Sequence, residues 1–185
     1  MPPSSASALD LLRSRGEAFL RDVSREYYSS HAGLKPSAEL QPIYEKHRET
    51  YGDESLELAM ALLKRATPGS EDHRSGRMLV EWLVESRVGR ELAPLEEREI
   101  AWEGEAVVRL ANGVAEPYRR ASITIANTRD ARERRALDDA RAALVGAELA
   151  PMRQERLSRE KDFVEKMAVA PGYIETFDAL AGVRV

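Results

Sequence analysis

The sequence contains no cysteine. Disulfides, thiolate metal sites and cysteine nucleophiles are therefore excluded. Histidine is almost as scarce, with three residues: His31, His47 and His73. None has a second histidine three or four positions away, so no helix carries the paired imidazoles of an H-E-x-x-H zinc site. Each reads as a surface or turn residue. Aromatic residues make up only 6% of the chain. Tyr27, Tyr28, Trp82, Trp102, Tyr118 and Phe177 are scattered, which suits a helical core better than a platform for stacked bases. Nowhere do 18 apolar residues run together, so no segment reads as a membrane span. The opening "MPPSSASALDLLRSRGEAFL" lacks the basic start and apolar run of a signal peptide. An excess of one charge is missing too: 28 basic and 32 acidic residues leave a net charge of -4. That balance argues against a general polyanion binder. The chain has no Gly-Lys-Ser/Thr phosphate loop, no G-x-G-x-x-G and no G-x-S-x-G nucleophile elbow.

What is present is a chain of 185 residues, 43% hydrophobic and 32% charged, which fits one ordinary globular domain. Arginine far outnumbers lysine, which reads as the composition of a high-GC bacterial genome. The expected location is cytoplasmic.

Residues 1–7 are rich in Pro, Ser and Ala and are expected to be a loose arm. Ser7 and Asp10 have capping-box spacing. After them Ala8, Leu12, Phe19, Leu20, Val23 and Tyr27 fall on one helical face, interrupted by Gly16. "SSHAGLKPS" breaks that helix. Leu40, Ile43, Tyr44, His47 and Tyr51 predict a second helix closed by Gly52, with Pro42 inside its first part. Asp53 or Ser55 starts a third, through "LELAMALLKRA", which is apolar nearly all round and so reads as buried. Ser70 caps a fourth helix, with Met78, Leu79, Trp82, Leu83, Val88 and Leu92 as its apolar side. Pro94 ends or kinks it, and "LEEREIAWE" follows as a fifth.

The pattern then changes. Val107, Val108 and Leu110 precede Asn112-Gly113 and Val114, a strong hairpin signal that predicts a type I′ turn. Pro117 keeps the return strand short. "SITIAN" reads as a third short strand or a helical turn, with irregular or strand structure preferred. Asn127 or Thr128 caps a long helix, with Asp130 in its first turn. Leu137, Ala140, Leu144 and Ala147 form its apolar seam, and Arg129, Arg132, Arg135, Asp138, Asp139 and Arg141 its opposite side. Interleaved signs of charge favour a solvated helix face over a phosphate-binding one. Pro151 either kinks this helix or opens the next, along which Met152, Leu157, Phe163, Val164 and Met167 continue the spacing. "APGY" is a turn. Ile174, Phe177 and Leu180 face inward on a last helix that ends at Gly182. The paired carboxylates, Glu96 with Glu97 and Glu99, and Asp138 with Asp139, read as solvated charge, since nothing singles out a catalytic pair.

The fold class is therefore mainly α: a multi-helix bundle with long antiparallel helices and one small β-hairpin near residues 105–118. The expected organisation is a single domain over 1–185. It comprises the arm (1–7), a helical part (8–103), the hairpin and a connector (104–126), and long helices with a short terminal one (127–185).

One stretch carries a resemblance. Ile125-Ala126-Asn127, Asp130, Arg134, Leu137 and Ala140 are followed by Gly172-Tyr173, Phe177, Leu180 and Gly182. Over roughly residues 100–185 this pattern resembles the N-terminal half of the helical zinc peptidases of the thimet oligopeptidase and oligoendopeptidase F type. The resemblance implies a helical region that forms one wall and the roof of a deep channel admitting short peptides. It also implies that the zinc-binding H-E-x-x-H and its downstream glutamate would lie beyond residue 185 of a full-length member. No catalytic, metal or cofactor residue is transferred to this chain. The expectation is a non-catalytic N-terminal region, a fragment or one half of a split protein. Its partner would be the missing catalytic region or a second copy of itself, with no nucleic acid and no membrane. The alternative is a stand-alone helical interaction or scaffold protein, which should lack a large exposed apolar patch. A third reading, a small enzyme built on distant residues such as His47, His73 and Glu81, is the weakest.

Overall fold

The computed structural model describes residues 5–110 and 112–181, with side chains from 8 to 178. The chain is mainly α-helical with one small antiparallel hairpin. The elements are α1 (Ser5–His31), α2 (Leu40–Lys46), α3 (Asp53–Arg65), α4 (Glu71–Glu105), β1 (Val107–Arg109), β2 (Ala115–Pro117), α5 (Tyr118–Asn127), α6 (Ala131–Leu144), α7 (Ala150–Met167) and α8 (Tyr173–Ala181), with a π-turn at Val145–Leu149 between α6 and α7. None of the described helices is long and apolar enough to cross a membrane. The chain divides into two compact units, one of residues 1–25, 40–93 and 159–185, the other of 26–39 and 94–158. The divisions within α1, α4 and α7 leave those helices unbroken.

The first unit is organised around Phe19. Its ring lies 5.3 Å from Tyr44, 5.5 Å from Tyr51 and 6.3 Å from Trp82, in tilted or edge-on arrangements that favour aromatic pairs. Leu40, Ala59, Leu83 and Val84 are fully buried in the same unit. The Tyr51 hydroxyl donates to the Tyr44 carbonyl, and burial pushes its pKa up to about 12. Ser70 caps α4 as expected, its Oγ accepting from the His73 amide at 3.1 Å.

The second unit holds the hairpin, α5 and α6. Val108, Ala121 and Leu137 are buried together, and Leu110, Tyr118, Ile125, Ala140 and Leu144 pack against them. Asp130 caps α6, its Oδ1 accepting from the amides of Arg132 and Glu133 at 2.9 Å.

Several expectations need correction. α1 begins at Ser5, so Ser7 lies inside the helix and cannot cap it; residues 1–4 lie outside the described chain. α2 stops at Lys46, and His47 to Tyr51 form turns rather than a further helical turn. α3 is not buried all round: Ala59 is its only buried residue and Met60 is 46% exposed. α4 does not end at Pro94, so "LEEREIAWE" is its last part and no separate helix. The hairpin turn is not type I′. Leu110 N bonds to Val114 O and Gly113 N to Leu110 O, and of the two turn residues only Gly113 has positive φ, at 87°. This is a three-residue loop closed by a left-handed glycine.

"SITIAN" is helical. Ala121 and Ile125 face the cluster on a helical period while Ile123 is 62% exposed. The alternation of β-branched residues hides that period, and packing overrides the local preference. Asp130 caps α6 in place of Asn127 or Thr128; Thr128 instead ends α5. Ala147 is exposed, so the seam stops at Leu144. Arg141 leaves the solvated side, its guanidinium lying 5.1 Å from the Tyr118 ring centre. Pro151 stands second in α7, within one residue of the expected helix start, and directly follows the wide turn at Val145–Leu149 and Ala150; it has no N–H to offer the Ala147 carbonyl. On the apolar faces, Leu20, Met78, Leu157 and Ile174 are 47%, 65%, 58% and 67% exposed. Leu180 and Gly182 lie outside the described side chains.

Candidate functional site: an apolar groove in the first unit

A concavity of about 750 Å³ lies in the first unit. α1 supplies Leu9, Leu12, Gly16 and Leu20; the end of α3 supplies Leu62 and Ala66; the start of α4 supplies Gly76, Leu79 and Trp82. Its size falls in the range of ligand-binding clefts. Two glycines bring the helices close enough to form its floor. A Cβ on Gly16 would stand 3.0 Å from Trp82 Cη2, and one on Gly76 would stand 3.2 Å from Leu63 Cα. The glycine that seems to interrupt the α1 face is therefore the point where α1 meets the indole. Asp10, Arg13, Glu17, Arg65 and Asp72 stand around the apolar surface.

Among the described residues the groove lining holds no histidine, and Ser75 is its one hydroxyl. It offers an indole face, four leucines besides Leu12, and charges of both signs. No group of three or more His, Asp or Glu among the described residues could hold a metal ion.

The histidines do not converge. His31 is exposed and bonded to the Tyr27 carbonyl at 2.9 Å. His73 takes part in the Ser70 cap through its backbone. His47 is a turn residue as expected but not a surface one: its side chain is only 10% exposed, and its Nε2 lies 2.8 Å from Asp22 Oδ2. Lys46 reaches the same carboxylate at 2.6 Å. Hydrogen bonds from Lys46 and His47 hold the Asp22 carboxyl down at about 2. Glu81 acts on Glu85, whose pKa is raised by burial and then by Glu81.

The carboxylates of α4 depart furthest from expectation. Glu96 and Glu99 are not a solvated run. Glu96 accepts from the Tyr27 hydroxyl and pairs with Arg156; Glu99 is 9% exposed and lies against Arg153 and Arg156. Asp138 and Asp139 are exposed, as the interleaved charges of α6 suggest. The first residues of the resemblance, from Ile125 to Ala140, form one local assembly. Asp130 caps α6, Arg134 donates to the Thr128 carbonyl at 3.1 Å, and Ile125, Leu137 and Ala140 pack together. In the other unit, Tyr173 donates to Glu160 at 2.8 Å and lies 5.2 Å from Phe177.

No protein-family profile, curated protein or solved structure matches this chain.

Sequence reasoning missed the groove because its residues come from three helices. The signal available was the surplus of leucine on α3 and the glycine on the apolar face of α1.

Proposed function

We propose that this chain is a non-catalytic helical scaffold that binds rather than transforms, and that its groove receives short apolar peptide segments. In this reading it serves as the N-terminal, channel-wall region of a zinc oligopeptidase-like protein in a bacterial cytoplasm. The observation that supports it is the groove: an open, indole-walled apolar surface. The exposure of Leu20, Met60 and Met78 in the same unit argues against the alternative of a self-sufficient scaffold with an entirely polar surface. The resemblance over residues 100–185 supplies the peptide class, and the Asp130, Arg134 and Leu137 assembly is a structural reason for those residue types.

The test is fluorescence anisotropy with labelled apolar octapeptides, alongside a cleavage assay with added zinc. Saturable binding without cleavage is expected. Leu20→Lys, at a half-exposed groove position, should weaken binding about tenfold, roughly 1.4 kcal/mol. Robust zinc-dependent cleavage overturns the non-catalytic reading. Binding that ignores Leu20→Lys overturns the assignment to the groove.

A further inference from the structure

The second unit places its charge between helices. On α4, Glu96, Glu99 and Glu103 follow at three- and four-residue steps and so share a face. α7 answers with Arg153 and Arg156. Arg153 lies 3.7 Å from Glu99 and 3.6 Å from Glu103; Arg156 lies 3.4 Å from Glu96 and 3.3 Å from Glu99. Arg98 pairs with Glu155 in the opposite sense. Apolar contact adds little, since none of residues 150–158 is fully buried and Leu157 is 58% exposed.

The centre of this ladder is imperfect. Glu99 Oε1 and Arg156 Nε are buried and adjacent, yet neither makes a hydrogen bond. Buried charge without aligned hydrogen bonds gives back much of its Coulomb gain as desolvation. Immediately before the ladder segment stands the π-turn. It contains Gly146, where a Cβ would meet nothing within 4 Å, and Pro151 follows it. Wide turns and prolines are where helices yield.

We infer that residues 150–158 form a salt-sensitive latch, held to α4 by charge and able to open locally at the π-turn while the hairpin, α5 and α6 stay folded. Screening is the lever, and it acts chiefly on the half-exposed members, Arg153 and the Arg98–Glu155 pair, since the Debye length falls to about 3 Å at 1 M salt. The Val108, Ala121 and Leu137 cluster is held by apolar burial, which carries no such screening. The inference does not depend on the peptide-binding reading.

The experiment is hydrogen exchange read by mass spectrometry on the full chain at low and at molar NaCl. Exchange in 150–158 is expected to speed up about fivefold or more relative to 131–144. A uniform change, or none, overturns the latch. The double variant Glu99→Gln/Arg156→Gln replaces the central charges by amides and should remove most of the salt response. Arg153→Gln, at a half-exposed position that threatens folding less, should reduce it. A response that is undiminished in a folded variant overturns the assignment to the ladder.

Discussion

In the first unit Phe19 meets Tyr44, Tyr51 and Trp82, and Leu40, Leu83 and Val84 close around them without exposure. In the second, Glu96 and Glu99 stand opposite Arg156, and Val108, Ala121 and Leu137 of the hairpin, α5 and α6 are buried together. Apolar burial is non-directional and rewards volume. Ion pairs reward alignment and suffer from salt. The two units should therefore fail in different ways, although one chain builds both.

The largest effect is expected where volume matters most. Phe19→Ala should cost about 3–5 kcal/mol, because Tyr44, Tyr51 and Trp82 cannot collapse into the space. Urea unfolding would measure it, and the loss should be the same at low and high salt. Equal salt sensitivity in both units would erase the comparison. Glu99→Ala leaves Arg153 and Arg156 facing each other across a vacancy. It should cost about 2–3 kcal/mol at low salt, below the value for a fully buried pair since both arginines reach water. That cost should shrink at high salt, again read in urea.

The next effect depends on pH. Asp22 is depressed from 3.8 to about 2, so its contribution to stability is complete above pH 4 and is lost as pH falls through about 2. Melting temperatures between pH 2 and 5 should fall more steeply for the wild type than for Asp22→Asn. Parallel curves would show that the Lys46 and His47 contacts do not bias folding. The smallest effect is local. Ala168, in the turn after α7, has φ of 51°, the one positive value outside glycine among the described residues. Ala168→Gly should stabilise by about 0.5–1 kcal/mol, relief of strain exceeding the extra chain entropy. A loss of stability would mean that the turn relaxes in solution.

Much of the first unit was legible along the chain. The limits of α3, the Ser70 cap, the turn at 168–172 and the Phe19 stripe all follow from local rules of capping, breaking and periodicity. The hairpin was legible in place but not in type, because Asn112-Gly113 serves a three-residue loop as well as a two-residue one. α5 was misread since its β-branched residues alternate, and only packing on Val108 shows that every third or fourth position is the one used. The ladder was misread because a glutamate run looks alike whether water or arginine faces it. The groove was hidden for the same reason: Gly16, Leu62 and Trp82 are far apart in sequence.

Composition and periodicity by themselves determined that this is a mainly helical chain without thiol chemistry or paired helical histidines, punctuated by Gly, Pro and caps. Those features act within a turn or two, so a single sequence displays them. Which apolar faces stay open, which carboxylates meet arginine, and whether Pro94 and Pro151 break their helices were decided only by tertiary structure. Each depends on what another segment brings to the contact, and burial and Coulomb energy are set in space rather than along the chain.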